Sequence, residues 1–262
     1  MASIHPTALV DPKAELATDV QVGAYAIIGP NVCIDEGSSI GPHAVVDGHT
    51  RIGRRNRIFQ FASIGAPPQD KKYRNEPTRL EIGDDNTVRE FVTINCGTTQ
   101  DREVTKIGND NWIMAYVHVA HDCVIGDHGI FANSTNIAGH VEIGDWVILG
   151  GFTGVHQFCK IGSHAMTGVG SVVLHDIPPY VMASGNTAKA HGINSEGLRR
   201  RGFSQGDINT LRRAYKTLYK SGLTLDQARS QLAVSAQGDD DSARHVGLLS
   251  SFLQTVTRGI VR

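Results

Sequence analysis

Aliphatic side chains recur every sixth residue along most of this chain. From Ile4 the step runs through Val10, Leu16, Val22, Ile28, Ile34, Ile40, Val46, Ile52, Ile58 and Ile64. It resumes at Ile82, Val88 and Ile94. From Ile107 it continues through Ile113, Val119, Ile125, Phe131, Ile137, Ile143, Leu149, Val155, Ile161, Thr167 and Val173. Of these 26 positions only Thr167 is neither aliphatic nor Phe, in a chain that is 40% hydrophobic, so the period is a property of the sequence and not of its composition. Gly often follows the aliphatic, as at Gly23, Gly29, Gly126 and Gly144, and there it permits backbone angles other residues resist. Two positions before it, small residues or Asn recur, as at Ala26, Ala62, Asn56, Asn86 and Asn111.

This spacing resembles the hexapeptide repeat of left-handed parallel β-helices. In that family three hexapeptides make one triangular coil with the aliphatic inside, and the left hand is an exception to the usual crossover rule. The resemblance implies a mainly β fold: a β-helix over residues 1–187, followed by a helical domain over 188–262. The two phase breaks, near 66–79 and 95–106, are polar and predict loop insertions, which on a solenoid often build the site. After Val173 the prolines of His175–Val181 end the repeat. Ser204 is placed to cap a helix carrying Ile208, Leu211, Tyr215 and Leu218, and Thr224 with Gln227 forms a capping box for a second. Gly238–Asp241 reads as a loop, and a third helix carries Leu249, Phe252, Leu253 and Val256.

Composition narrows the picture. A formal net charge of −1 gives no support for bulk nucleic-acid binding, and 29 glycines with 6% aromatics suit a repetitive β architecture. No apolar run approaches the ~20 residues of a membrane span. Cys33, Cys96, Cys123 and Cys159 are scattered and form no CxxC motif. With no secretory signal read at the N-terminus, they are expected as reduced thiols of a cytoplasmic protein.

The chemistry gathers around His118-Val119-Ala120-His121-Asp122-Cys123. If a coil holds 18 residues, positions 18 apart stack about one strand spacing, ~4.8 Å, from each other. Then His121, Gly139 and Gln157 share a column, Asp122, His140 and Phe158 the next, and Ala120, Ala138 and His156 the one before. One corner thus collects His121, Gly139, His140, His156 and Gln157. A neutral His121 can take a proton from an attacking hydroxyl, Asp122 can orient it, and the Gly139 N–H can donate to a developing oxyanion. Surface histidines on a polar face are the plain alternative. A second alternative is zinc, which histidines on adjacent coils bind in the carbonic anhydrases of this fold. His118, however, stacks over Asn136 and Gly154, away from the main column. Cys123 invites a thiol mechanism, but Cys123 and Cys159 sit at the small-residue position and are expected inside the coil. The stretch Gln69–Tyr73 and the run Arg199–Arg201 are basic enough to meet phosphates, or are solvated charge.

Several motifs carry a closer resemblance. They are Gly48-His49-Thr50, Gln60-Phe61-Ala62-Ser63-Ile64-Gly65, Gln69-Asp70 with Lys72-Tyr73, and Glu76-Pro77-Thr78-Arg79. Ala120–Cys123, Ala138-Gly139-His140, Val155–Phe158, Ile193–Gly197, Arg200–Phe203 and the ending Arg258–Arg262 follow in order. Together they resemble the bacterial UDP-N-acetylglucosamine acyltransferases, over nearly the whole chain. The resemblance implies transfer of an (R)-3-hydroxyacyl group from acyl carrier protein to the 3-hydroxyl of UDP-N-acetylglucosamine, the first step of lipid A synthesis. It implies a homotrimer with sites between subunits, no cofactor, no metal and no covalent enzyme intermediate. His121 is then the general base, and Gly139 N–H the oxyanion donor. Gln69, Asp70 and Lys72, with His118, His140, His156 and Gln157, match sugar, phosphate and groove contacts. Asn194, Glu196 and Arg200 match contacts to the nucleotide end, and Val169 matches the position that limits acyl-chain length. Asn95-Cys96 departs from the family, where His followed by Arg or Thr is common. The nearest competitor is the N-acyltransferase acting later on the pathway. It usually carries a nucleotide-binding domain ahead of the repeat, whereas here the repeat begins at Ile4.

Overall fold

The computed structural model describes residues 2–238 and 240–262. The hexapeptides fold as two-residue strands separated by turns, and every third strand pairs in parallel with the one a coil away. The result is the left-handed parallel β-helix, a three-sided prism. Its first face has eleven strands from Ser3–Ile4 to Lys189–Ile193. Its second has nine, from Leu9–Val10 to Val172–Val173. Its third has eight, from Glu15–Leu16 to Lys160–Ile161.

The register shows why the repeat tolerates its two breaks. Ile64 pairs with Ile94 and Ile94 with Val119, while Ile82 pairs with Ile52 and Ile107. Each insertion therefore leaves as a loop at the corner between second and third faces, and the ladder stays in phase on both sides of it. Inside, the aliphatics from Val22 to Val173 are buried without a break apart from Thr167. Thr167 is also buried, and its hydroxyl meets Thr153 Oγ1 at 2.9 Å and the Gly150 N–H at 3.0 Å. The recurring Asn is explained in the same way. Asn86 Nδ2 donates to Asn56 Oδ1 and Asn111 Nδ2 to Asn86 Oδ1, both at 3.0 Å, so each buried amide satisfies the next.

The helical part begins later than expected. Lys189–Ile193 is a strand, antiparallel to Val181–Ser184 on the first face, so the segment from 188 opens as sheet. Four helices follow among the described residues: α1 Ser195–Arg200, α2 Gln205–Tyr219, α3 Leu225–Ser235 and α4 Asp241–Gln254. Ser204 with Asp207 and Thr224 with Gln227 form reciprocal capping boxes. Of the expected loop at Gly238–Asp241, Asp239 lies outside the described residues, Asp240 caps α4 and Asp241 is its first residue. Val256 lies beyond the end of α4. The short α1 has no apolar period to reveal it. Ile208, Leu211, Leu218, Leu232, Leu249 and Leu253 pack a second core with Tyr180 at the end of the β-helix. No helix among the described residues is long and apolar enough to cross a membrane.

Candidate active site

At the corner between second and third faces the chain takes one left-handed residue per coil. Asp122, His140 and Phe158 have φ of 59°, 64° and 65°. These are sparsely populated angles for side chains of this size. Because the turns repeat, the rings stack: His140 lies on Phe158 at 4.3 Å between centroids and meets His121 edge-on at 4.9 Å. The 18-residue columns read from the sequence are thus formed.

His121 is the centre of the cluster. Its Nδ1 lies 2.9 Å from Asp122 Oδ2. A carboxylate can only accept here, so Nδ1 carries a proton, and in the neutral ring Nε2 is the nitrogen with the lone pair. Asp122 is wholly buried. It accepts from the Thr98 N–H at 3.0 and 3.1 Å, from Thr98 Oγ1 at 2.6 Å and from the Arg102 N–H at 3.3 Å. Burial alone would raise its carboxyl pKa. The hydrogen bonds from His121 and Thr98 overcome that and hold it below the usual carboxylate range. Under the imidazole lies Gly139. A Cβ there would stand 2.7 Å from His121 Cε1 and 2.8 Å from Nε2, so only glycine lets the ring lie this close. The Gly139 carbonyl accepts from Phe158 N–H, and its own N–H has no acceptor among the described residues.

A groove of about 460 Å³ opens over this corner and the adjoining second face. Gln69, His118, His121, Gly139 and His156 supply its polar lining, and Val172 and Leu174 part of its apolar wall. His118, separated from the main column by the stacking rule, therefore shares the site. Its Nδ1 meets Thr93 Oγ1 at 2.7 Å, and burial, aided by the neighbouring His121, lowers its pKa. His156 Nδ1 is bonded to the Gln157 carbonyl at 3.1 Å. Gln157 itself is exposed beside the groove, and its carbonyl also receives Arg258 Nη1. A larger depression of about 640 Å³ runs along the first face between Ser3 and Gln60. Its lining includes Ser3, His5 and Ser39 but no carboxylate to orient the imidazole, and His5 Nδ1 meets Thr7 Oγ1 at 2.9 Å instead, so the smaller groove is the candidate site.

The first insertion reaches the groove through Gln69. Asp70 turns back to accept the Lys72 N–H at 2.9 Å, and Lys72 is exposed. Asn194, Glu196 and Arg200 are not brought to this groove within one protomer. Asn194 caps α1 and its Nδ2 donates to the His164 carbonyl, at the corner between third and first faces. Glu196 pairs with both Arg199 and Arg200. Arg201 separates from its neighbours, lying over Trp146 and reaching His164 Nδ1 at 3.2 Å. Val169 stands 79% exposed at the corner between first and second faces, outside the groove lining.

Cys123 and Cys159 are buried as expected, and burial pushes the Cys123 thiol up to about 12. Its Sγ donates to the Ala138 carbonyl at 3.1 Å. A thiol so placed is not a nucleophile at neutral pH. His121, Asp122 and His140 offer ligand atoms within 4.8 Å of one another. An ion held by all three would compete with bonds already made: His121 Nδ1 to Asp122, His140 Nδ1 to Asp101 at 2.7 Å, and the donors on Asp122. Asn95 and Cys96 are buried too. Asn95 Nδ2 donates to the Ala66 and Pro67 carbonyls, tying the insertions together, and Cys96 Sγ receives Thr78 Oγ1. The residues that sequence reasoning missed are Thr98 and Asp101. They come from the second insertion, which moves the ladder offset from 18 residues to 25, as in Ile94 beside Val119.

Residues 176–261 match the family model described as UDP N-acetylglucosamine O-acyltransferase, domain 2, and residues 105–139 match the bacterial transferase hexapeptide model. The chain is 60% identical over the full length of both chains to the acyl-[acyl-carrier-protein]–UDP-N-acetylglucosamine O-acyltransferase of Herminiimonas arsenicoxydans, and 61% to that of Thiobacillus denitrificans, again in full. Among solved structures, the UDP-N-acetylglucosamine O-acyltransferase of Moraxella catarrhalis superposes with a TM-score of 0.96 at 46% identity, covering 99% of each chain. The Francisella novicida enzyme superposes at 0.95 with 39% identity, covering 99% of this chain and 94% of that one. Full-length identity at this level, on the same repeat and the same helical tail, means that the chain belongs to the UDP-N-acetylglucosamine O-acyltransferase family.

Proposed function

We propose that this enzyme carries an (R)-3-hydroxyacyl group from acyl carrier protein to the 3-hydroxyl of UDP-N-acetylglucosamine, the first step of lipid A synthesis, with His121 as general base. The observation that carries the mechanism is the His121–Asp122 pair seated on Gly139 at the edge of the groove. His121 Nε2 removes the proton as the sugar oxygen attacks the thioester carbonyl. Asp122 stabilises the imidazolium that forms, a contribution of ~10²–10⁴-fold for base catalysis. The Gly139 N–H donates to the oxyanion, worth ~10²–10³-fold for one such donor. The tetrahedral intermediate then expels the pantetheine thiolate, which takes the proton back from His121. No metal, cofactor or acyl-enzyme enters this path. Gln69, His118 and His156 supply hydrogen bonds to the sugar from the groove wall, with His140 and Gln157 beside them and Asp70 and Lys72 toward the phosphates.

A homotrimer accounts for the residues that one protomer leaves apart. Asn194, Glu196 and Arg200 lie at another corner of the prism, so a contact with a nucleotide in the groove needs a neighbouring copy. Tyr25, His43, Phe61, Phe91 and Tyr116 form an exposed column of stacked rings, 4.9–5.2 Å apart, a surface suited to burial in an assembly. The four free thiols, buried except for the half-buried Cys33, support a reducing, cytoplasmic setting.

The test is an assay of purified protein with UDP-N-acetylglucosamine and a panel of acyl carrier protein thioesters. Ester formation at the sugar 3-oxygen with release of the carrier thiol is expected. Transfer only to an amino-sugar acceptor would instead assign the chain to the N-acylating step.

A further inference from the structure

The second insertion does not line the groove, yet it grips both side chains that hold His121. Thr98 is wholly buried. Its hydroxyl gives Asp122 Oδ2 a 2.6 Å bond, and this is the oxygen that receives His121 Nδ1. From the neighbouring strand Thr105 Oγ1 accepts the Asp122 N–H at 2.9 Å, which fixes the backbone of Asp122 but not its carboxylate. Three residues after Thr98, Asp101 Oδ2 meets Nδ1 of His140, the ring packed edge-on against His121. The path of the loop does not depend on the Thr98 hydroxyl. Gly97 N–H bonds the Arg79 carbonyl at 3.0 Å, Cys96 N–H the Ala66 carbonyl at 3.2 Å and Glu103 N–H the Thr98 carbonyl at 3.0 Å. The hydroxyl is therefore free to serve one purpose, the direction of one carboxylate oxygen.

We infer that Thr98 is a positioning residue for acyl transfer. Its hydroxyl locks the Asp122 carboxylate in the rotamer that holds His121 Nδ1, and so keeps Nε2 aimed into the groove. With Asp122 fully buried, solvent has no access to replace that bond. The inference rests on His121 being the base.

Thr98→Val removes the hydroxyl, nearly preserves the shape and keeps the N–H bonds. It should lower kcat by about 10–100-fold, a part of the ~10²–10⁴-fold that a positioned base supplies, with KM for UDP-N-acetylglucosamine within about twofold of wild type. Thr98→Ser should restore kcat. In an Asp122→Asn background Thr98→Val should cost nothing further, because it acts only through that carboxylate. If Thr98→Val does not fold, Thr98→Ala against Thr98→Ser makes the same comparison. His121→Gln in the same series separates the two levels. A fully active His121→Gln would remove the base assignment itself. An inactive His121→Gln beside a Thr98→Val with wild-type kcat, or with an undiminished loss on Asp122→Asn, would overturn the role of Thr98 alone.

Discussion

At the scale of single residues, the site depends on how closely His121 lies against Gly139. His121 and Gly139 line one groove, so the proposed base and oxyanion donor are set by one contact. Gly139→Ala would place a methyl group within van der Waals overlap of the imidazole at 2.7–2.8 Å. The ring must then turn, and its bond to Asp122 lengthens or breaks. The variant should fold with a near-normal melting temperature and lose kcat by about 10²-fold or more, the order of one misplaced catalytic group. A crystal structure of the variant would show the ring displaced, and unchanged turnover would show that the contact has no catalytic consequence. Cys123 illustrates the opposite case: it lies next to the His121–Asp122 pair in sequence, but its side chain points into the coil and fills core.

At the scale of elements, the coil does most of the positioning, and much of it was legible in advance. The six-residue period marked the inward strand positions, and 18-residue stacking brought His121, Gly139 and His140 together. What could not be read lies where the period fails. Thr98 and Asp101 sit in a loop whose path is set by long-range bonds such as Gly97 to Arg79, which no local pattern encodes. Strand Lys189–Ile193 was missed because its pairing is antiparallel and outside the repeat. The junction between the β-helix and the helical part carries its own consequence. His164 stacks between Trp146 and Tyr180 and receives Arg201, and burial with that charge lowers its pKa from 6.5 to about 4. In the folded chain His164 stays neutral down to about 4, whereas unfolded it takes a proton near 6.5. Its contribution is thus fully present above 6.5 and is lost as pH falls from 6.5 toward 4, by at most roughly 3 kcal/mol. Denaturation midpoints between pH 7.5 and 4.5 should fall less steeply for His164→Gln than for wild type. Equal slopes would mean that His164 takes no part in the acid sensitivity.

At the scale of the whole molecule, one protomer holds the proposed base and oxyanion donor but leaves Asn194, Glu196, Arg200 and Val169 at other corners. In the proposed homotrimer a neighbouring copy would bring those four residues to the groove. Val169 stands exposed at its corner, three residues before Val172 of the groove wall, and the proposed acyl-chain limit places it against the end of the donor chain. Val169→Gly should therefore move the donor optimum toward longer hydroxyacyl chains. Discrimination against a chain two methylenes too long should reach about 10–200-fold in wild type and weaken in the variant. A shared optimum in a donor-length series would place the end of the acyl groove elsewhere. All of these readings turn on His121, and turnover of His121→Ala tests them most directly. Purified at the same oligomeric state and melting temperature as wild type, the variant should lose ~10²–10⁴-fold in kcat with UDP-N-acetylglucosamine and its best acyl carrier protein thioester. Near-normal turnover in that folded variant would contradict the account at its centre.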